Sequence, residues 1–350
     1  MPKVVSLLSE DKFYSAKPVI PQELNIFFPN QYSDLDIINA CEGADCLFSV
    51  GSAAMINSFI LDRIPDIKIV QCMGVGFDRV DIPASIRVGI PVANVPGSNA
   101  TSVAEYVIGS LIAIQRRLVE ADAEIKAGNY LSFRNNILRE GIKEVKGSKI
   151  GLVGFGNIGR KVAQIASVMG ASVSYCALHR QSSNVERQYS IEYKTLDLLL
   201  ETSDVISLHI PLNDKTRGLI GARELALMPQ GSILINTARG EIVDQKALAE
   251  VLEKGHLAGA SIDTFTPEPP GHDHPLLTLS ANAKKRLILN PHTSGVTVGA
   301  YKRMIENALK NMARVVRGEV PNNIVNGIFR RGNDLPKWRA GIQTCSDKND

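Results

Sequence analysis

The segment from Lys149 to Gly159 constrains the fold of this chain more than any other. It reads KIGLVGFGNIG, an apolar strand that runs directly into G-x-G-x-x-G and is followed by helix-forming residues. In this pattern the first glycine permits a tight turn, the second lets the backbone approach a pyrophosphate, and the third lets the helix pack on the strand. The free N–H groups and the dipole of a helix N-terminus favour an anion at that point. The sequence therefore predicts a dinucleotide site formed by Gly154, Phe155, Gly156, Asn157, Ile158 and Gly159.

Short apolar runs alternate with helix-compatible stretches along most of the chain. This alternation is typical of doubly wound parallel sheets, so we expect an α/β fold with two Rossmann-like domains. In the first, flavodoxin-like series the expected strands are Val4–Leu8, Cys46–Val50, Ile67–Met73 and Pro91–Val95. In the second series they are Lys149–Val153, Ser172–Cys176, Val205–His209, Ser232–Asn236, Gly259–Asp263 and Leu287–Leu289.

Two long helical patterns mark the passages between these domains. The pattern over Thr101–Arg117 leads out of the first series, and the pattern over Gly299–Arg317 leads back to it. We therefore predict a discontinuous substrate-binding domain of residues 1–100 plus 293–330, and a nucleotide-binding domain of residues 101–292. Residues 331–350 are polar and lack periodicity, which predicts a loosely held C-terminal tail.

Composition excludes several classes of protein. The 350 residues are 44% hydrophobic and 21% charged, as in globular domains, and a net charge of +3 argues against a dedicated nucleic-acid binder. No apolar run is long enough to span a bilayer, and the N-terminus lacks the apolar region of an export signal. The five cysteines include no C-x-x-C pair. We interpret them as reduced thiols, which predicts a cytoplasmic protein.

Three segments at the ends of expected strands each carry one charged or ionisable residue. They contribute Arg239, Glu268 and His292, and the carboxyl ends of parallel strands are where open α/β sheets bind ligands. An arginine fork can hold a carboxylate and a carbonyl oxygen together, and a histidine exchanges a proton near neutral pH. A neighbouring carboxylate favours the charged imidazolium. Together these groups suit the interconversion of a 2-keto acid and a 2-hydroxy acid.

Each of these residues also has an ordinary interpretation. Arg239 alone could be a surface arginine, His292 a loop histidine and Glu268 part of a proline turn, but their joint occurrence after apolar strands favours the catalytic interpretation. The triplet from His272 to His274 has the residue types of metal ligands. It lies in a Pro/Gly-rich stretch, so we interpret it as a solvated loop and predict no metal site.

From about Ala44 to about Gly327 the chain resembles the D-isomer-specific 2-hydroxyacid dehydrogenases. The motifs that carry the resemblance are Gly154–Gly159, Ser207–Leu212, Asn236–Gly240, Glu268–Pro269 and Pro291–Gly295. The catalytic arginine, glutamate and histidine of that family match Arg239, Glu268 and His292 in order and approximate spacing. The resemblance implies that a nicotinamide cofactor delivers hydride to the keto carbon, while Arg239 polarises the carbonyl and His292 donates the proton.

The resemblance also implies roles for residues outside the catalytic three. Val75 and Gly76 match a loop whose backbone N–H groups hold the substrate carboxylate, with Arg239 and His292 as further substrate ligands. Asp263 matches the position that meets the nicotinamide carboxamide. The rest of the implied cofactor cleft consists of His209, Ile210, Pro211, Thr216, Thr237, Ala238, Arg239, His292 and Gly295. Members of the family are usually dimers joined through their nucleotide domains, and Lys126–Tyr130 matches the stretch that reaches across.

The end of the second nucleotide-domain strand favours NADP over NAD. NAD-specific sites usually place a carboxylate there to bind the ribose hydroxyls, but that position is Ala177, and the next carboxylate along the chain is Glu186. His179 and Arg180 instead supply positive charge where a 2′-phosphate would bind. We therefore predict NADP as the favoured cofactor and NAD as the alternative.

The substrate follows mainly by elimination. Val50-Gly51-Ser52 replaces the arginine that members reading phosphorylated substrates often carry, so glyoxylate and hydroxypyruvate are favoured over 3-phosphoglycerate. A phosphoglycerate dehydrogenase-like enzyme stays open as an alternative. So does a nucleotide-sensing interaction module of the corepressor type, which shares the fold and the Arg/Glu/His set.

Overall fold

The computed structural model describes residues 1–51 and 54–329. The predicted tail, 331–350, lies outside the described residues. The backbone contacts divide the chain into two compact units, one of Met1–Pro96 with the chain from Lys302 onward, and one of Gly97–Tyr301. We call these unit 1 and unit 2. The domain boundaries drawn from the sequence, near residues 100 and 293, stay a prediction.

Unit 1 is built on a parallel sheet whose strands follow the order β2-β1-β3-β4-β5 within the described residues. Its strands are β1 (Lys3–Ser6), β2 (Asn25–Phe27), β3 (Cys46–Ser49), β4 (Ile69–Cys72) and β5 (Val92–Ala93). Its helices are α1 (Glu10–Ser15), α2 (Asp34–Ala40), α3 (Ser58–Leu61) and α4 (Ile82–Val88). Strands β3 and β4 are buried on both faces, which explains their continuous apolar runs.

Unit 2 contains the larger sheet, also parallel, with the order β12-β11-β10-β9-β6-β7-β8 in the described structure. Its strands are β6 (Lys149–Val153), β7 (Ser172–Cys176), β8 (Ile191–Tyr193), β9 (Val205–Leu208), β10 (Ile233–Asn236), β11 (Gly259–Ile262) and β12 (Leu287–Leu289). Its helices are α5 (Ala100–Gln115), α6 (Leu118–Lys126), α7 (Tyr130–Glu140), α8 (Asn157–Val168), α9 (Ser183–Tyr189), α10 (Leu196–Thr202), α11 (Ala222–Leu227), α12 (Gln245–Glu253) and α13 (Ala281–Lys284).

The final described helix, α14 (Val298–Val316), begins in unit 2 and continues in unit 1. Its buried side chains in unit 1 include Ile305, Leu309 and Met312, three or four residues apart on one helical face. Asn311 Nδ2 donates to Gln71 Oε1 of β4 at 2.7 Å, a buried polar contact within unit 1. This hydrogen bond ties α14 to strand β4 of the unit 1 sheet.

The register of three neighbouring strands positions the functional loops. In β10, β11 and β12 the last residues pair side by side, Asn236 with Ile262 and Ile262 with Leu289. The three loops that follow therefore leave the sheet at the same level. These are the loops that carry Arg239, Glu268 and His292.

The two parallel sheets confirm the predicted α/β class and its two doubly wound sheets. Two short strands, β2 and β8, were not predicted. In the described part of the chain, no helix has both the length and the apolar character needed to cross a membrane. The same residues hold no group of three His, Cys, Asp or Glu side chains arranged for a metal ion.

The solvated-loop interpretation of the His272–His274 triplet is wrong for its last residue. His272 and Asp273 are exposed, but His274 is 4% exposed and packs edge-on against the ring of Phe265. Its Nδ1 accepts a hydrogen bond from the backbone N–H of Leu276 at 3.3 Å. His274 therefore helps to fix the turn that follows the Glu268 loop.

Candidate active site

The G-x-G-x-x-G turn leads from β6 into α8 with little room for side chains. Gly154 has φ of +100°, a left-handed conformation that favours glycine, and a Cβ there would overlap the backbone of His209. A Cβ on Gly159 would lie 2.5 Å from the carbonyl oxygen of Gly154. At Gly156, by contrast, no described atom lies within 4 Å of the Cβ position. The turn is thus tightly packed on the protein side and open at Gly156, which fits the close approach of a pyrophosphate.

His209 lies beside this turn, at the end of β9. Its Nε2 is 2.9 Å from Ser207 Oγ, while its buried Nδ1 has no hydrogen-bond partner among the described residues. Burial lowers the pKa of His209 to about 3, so the ring is neutral at physiological pH. A buried polar atom without a partner is costly, so Nδ1 is suited to a polar group of a bound ligand. This supports the fit of a dinucleotide to these residues.

Arg239 follows β10 on a turn that Asn236 organises. Asn236 Nδ2 donates to the carbonyl of Arg239 at 2.9 Å, and its Oδ1 accepts from the N–H of Ala238 at 3.0 Å. A Cβ on Gly240 would overlap the backbone of Phe265, so this turn packs directly against the loop that follows β11. Arg239 itself is half-buried, and its Nη1 donates to the carbonyl of Ala238 at 2.8 Å. The guanidinium is therefore held in a defined place.

Glu268 and His292 form a hydrogen-bonded pair. His292 Nδ1 is 2.7 Å from Glu268 Oε1, and the two side chains are 42% and 36% exposed. Burial by itself raises the pKa of Glu268, but the hydrogen bond and charge of His292 outweigh it, with smaller help from Phe265 and Arg239. The net pKa of Glu268 is lowered, so the carboxylate is ionised at neutral pH. With Nδ1 held by Glu268, the Nε2 of His292 is the nitrogen left for proton exchange.

Asp263, at the end of β11, anchors the loop that carries His292. Its buried carboxylate accepts hydrogen bonds from Asn290 Nδ2, Ser294 Oγ and the backbone N–H groups of Thr293 (2.9 Å) and Ser294 (3.2 Å). Its carbonyl accepts from the N–H of His292 at 2.8 Å. His292 is held at φ +54°, an uncommon conformation for a residue with a side chain. Asp263 thus positions His292, whereas its implied contact with a nicotinamide stays a prediction.

The other predicted residues lie at several places in the fold. Thr237 is buried, and its hydroxyl has no partner in the part of the chain that the structure describes. Thr216 Oγ1 donates to the carbonyl of Pro211 at 2.7 Å, which shapes the loop after β9. Gly295 faces Asn99, whose Nδ2 would be 2.6 Å from a Cβ there. Their predicted roles in cofactor binding remain untested.

Val75 and Gly76, the predicted ligands of the substrate carboxylate, belong to unit 1. Asn94 Nδ2 donates to the carbonyl of Val75 at 2.7 Å, and the N–H of Val95 donates to Gly74 at 3.1 Å. These two hydrogen bonds hold the loop through the carbonyl groups of Gly74 and Val75. The role of the Val75 and Gly76 N–H groups stays a prediction.

The two cations predicted to read a 2′-phosphate differ in their surroundings. His179 is exposed on the loop after β7. Arg180 is also exposed, but its guanidinium forms two hydrogen bonds of 2.9 Å with the carboxylate of Glu186. Sequence reasoning missed this pair, and it also missed Asn236 and Asn290, which hold the turns of Arg239 and His292. A polar residue at or just after the end of an apolar strand is the signal that could have found the two asparagines.

Comparison with known proteins identifies the family. The family model described as "D-isomer specific 2-hydroxyacid dehydrogenase, NAD binding domain" matches residues 108–294, more than half of the chain. The chain belongs to this family.

Two curated relatives match this chain over most of their length. The "Glyoxylate reductase" of Aeropyrum pernix is 33% identical, with 91% of this chain and 97% of that protein covered. The "Glyoxylate reductase" of Thermofilum pendens is 38% identical over 77% of this chain and 78% of that protein.

A solved structure supports the same assignment. The crystal structure of D-lactate dehydrogenase with NAD+ from Lactobacillus jensenii is 27% identical, with a TM-score of 0.76 over 92% of this chain and 99% of that one. As a D-isomer specific 2-hydroxyacid dehydrogenase, the protein is an NAD(P)-dependent oxidoreductase that interconverts a 2-keto acid and a D-2-hydroxy acid. Arg239, Glu268 and His292 all lie within the residues that the family model matches.

Proposed function

We propose that this dehydrogenase reduces glyoxylate or hydroxypyruvate, with NADPH as the preferred cofactor. The observation that carries the reduction of a 2-keto acid is the 2.7 Å pair of His292 and Glu268, which leaves an imidazole nitrogen for proton transfer. The substrate class is supported by the names of the relatives, two of which are glyoxylate reductases at 33% and 38% identity.

The three catalytic residues have different roles in the reductive direction. Arg239 polarises the keto carbonyl and orients the carboxylate, because its planar fork can donate to both. His292 donates a proton to the developing alkoxide, and ionised Glu268 stabilises the imidazolium before that transfer. The bound nicotinamide supplies the hydride. Residues of the G-x-G-x-x-G turn and the buried Nδ1 of His209 would hold the cofactor.

Substrate choice is tested by steady-state reduction of a panel of 2-keto acids. We expect glyoxylate and hydroxypyruvate to give higher kcat/KM values than pyruvate, phenylpyruvate and 3-phosphohydroxypyruvate. Since glycolate has no stereocentre, chiral analysis of the glycerate formed from hydroxypyruvate should show the D-isomer. Preference for the phosphorylated acid would favour a phosphoglycerate dehydrogenase-like enzyme. Tight NADPH binding without turnover of any acid would favour a nucleotide-sensing module.

Cofactor preference is tested at Arg180. We expect Arg180→Ala to raise the KM for NADPH by about 10- to 100-fold, the scale of one charge-assisted hydrogen-bonding group, and to leave the KM for NADH nearly unchanged. Arg187→Ala is the matched control, since Arg187 is an exposed arginine on α9 whose guanidinium donates to Asn184 Oδ1 at 2.6 Å rather than to Glu186. Equal effects of Arg180→Ala on both cofactors would contradict a 2′-phosphate site at this residue.

We further propose a cytoplasmic homodimer. Helices α6 and α7 bury only Phe133 of their residues, and they present Ile125, Tyr130, Leu131 and Leu138 to solvent with half or more of each side chain exposed. Tyr130 is the last residue of the Lys126–Tyr130 stretch and the other three lie on either side of it, so a second copy of unit 2 bound at this stretch would cover these apolar side chains. The cytoplasmic assignment is supported by the free thiols of Cys41, Cys46, Cys72 and Cys176, whereas Cys345 lies outside the described residues.

A further inference from the structure

The loop after β7 carries an ion pair at the place where a dinucleotide fold reads the 2′ position of the ribose. Arg180 Nε and Nη2 donate to the two carboxylate oxygens of Glu186, each at 2.9 Å. The Arg180 side chain is 64% exposed, whereas the Glu186 side chain is 12% exposed. The cation therefore faces solvent, and the anion lies behind it.

Glu186 is fixed from its protein side. Oε1 of Glu186 accepts a hydrogen bond of 2.8 Å from the hydroxyl of Tyr175, a fully buried residue of β7. The same Tyr175 hydroxyl accepts from the N–H of Gln181 at 2.8 Å. The carboxylate thus belongs to a small network that joins β7, the following loop and α9. If the Glu186 carboxylate moved away from Arg180, it would also lose its hydrogen bond from Tyr175.

A second guanidinium reaches the same loop. Arg160, in the first turn of α8, donates from Nη2 to Gln181 Oε1 at 2.9 Å. Its guanidinium carbon lies 5.7 Å from the ring centre of Phe155 and 5.8 Å from that of Tyr189. Two arginines and one carboxylate therefore surround the loop of residues 177–182. Of the three charges, only Glu186 would repel a phosphate.

We propose that Glu186 is a specificity-determining residue that competes with the 2′-phosphate of NADPH for Arg180, an inference that rests on the NADPH preference proposed above. A guanidinium fork binds a carboxylate and a phosphate with the same parallel N–H donors. The 2′-phosphate must therefore displace Glu186 from Arg180 or share the fork with it. The 2′-hydroxyl of NADH carries no charge and meets no such competition. Glu186 therefore reduces the difference in affinity between NADPH and NADH.

Glu186→Gln tests this directly. The amide keeps the shape of the side chain and an oxygen that accepts from Tyr175, but it removes the negative charge. We expect the Kd of NADPH, measured by isothermal titration calorimetry, to fall by about fivefold, the scale of one exposed ion pair, and that of NADH to stay unchanged. The KM values should change in the same ratio. In the Arg180→Ala background, Glu186→Gln should have a smaller effect on NADPH, because no guanidinium is left to compete for and only direct charge repulsion is relieved.

The matched control is Glu192→Gln. Glu192 lies on β8, its side chain is 72% exposed, and it pairs with Lys194 rather than with Arg180. This variant should leave both Kd values unchanged, and thermal unfolding should show that neither variant is destabilised enough to affect binding.

The remaining outcomes separate this inference from the proposed cofactor preference. Weaker NADPH binding in Glu186→Gln would mean that Glu186 holds Arg180 in place. Unchanged binding of both cofactors would mean that Glu186 neither competes for Arg180 nor holds it in place. Weaker NADH binding would make Glu186 the acidic residue that reads the ribose. Each of these results overturns the competition. If Arg180→Ala affects both cofactors equally, the proposed NADPH site itself fails, whatever Glu186→Gln does.

Discussion

His292→Ala should lower kcat for keto-acid reduction by about two to four orders of magnitude, the usual contribution of general acid–base catalysis. The expected loss is this large because His292 is the proposed proton donor and is held in a defined position. Its Nδ1 is bonded to Glu268 and its backbone is fixed by Asp263. Stopped-flow or steady-state absorbance at 340 nm (the usual nicotinamide signal) measures the effect.

The pH dependence gives a second readout of the same residue. Reduction of a keto acid takes up one proton, so its rate should fall as pH rises. Oxidation releases one proton and should show the opposite dependence. Both slopes should flatten in His292→Ala. His272→Ala, which removes an exposed histidine of unit 2, is the control and should behave as the wild type. Near-normal turnover in His292→Ala would remove the residue from the proton-transfer role.

Arg239→Ala should lower kcat/KM for the keto acid by about two to three orders of magnitude, as the loss of a donor to a developing oxyanion does elsewhere. The effect should appear in KM as well as kcat, since Arg239 is proposed to hold the carboxylate besides polarising the carbonyl. Arg239→Lys should recover only part of the loss, because an ammonium keeps the charge but cannot donate as a planar fork.

The control for Arg239 is Arg223→Ala. Arg223 is an exposed arginine on α11 that pairs with Asp197 and Glu224, so its removal tests for a general effect of lost positive charge in unit 2. We expect unchanged kinetics. If Arg239→Lys were as active as the wild type, a point charge would be sufficient and the bidentate role would be wrong.

Lys149–Val153 was predicted with its observed bounds, because four of its five residues are buried and form a continuous apolar run. Ser172–Cys176 was also predicted with its observed bounds, and in that strand the buried residues Val173 and Tyr175 alternate with more exposed ones. Strands β2 and β8 were missed for the opposite reason. Each is three residues long, lies at a sheet edge and buries little, so neither stands out from a loop in the sequence.

The candidate site was predictable in its chemistry but not in its supports. Arg239, Glu268 and His292 stand out because reactive side chains follow apolar strands, and their roles rest on residue type. The anchoring of His292 by Asp263 depends on how two loops fold around one carboxylate, which no local pattern shows. The same holds for Glu186. It is six residues beyond Arg180 in the chain, and only the return of the chain into α9 brings the carboxylate to the guanidinium.

The level ends of β10, β11 and β12 limit how this protein can change in length. A strand advances by about 3.3 Å per residue, and a shift of one residue turns its side chains to the opposite face. One inserted or deleted residue within any of the three strands would thus displace one catalytic loop along the strand direction relative to the other two. Insertions and deletions in a lineage of such proteins should therefore accumulate in the connections at the amino ends of the strands. They should be rare within these three strands.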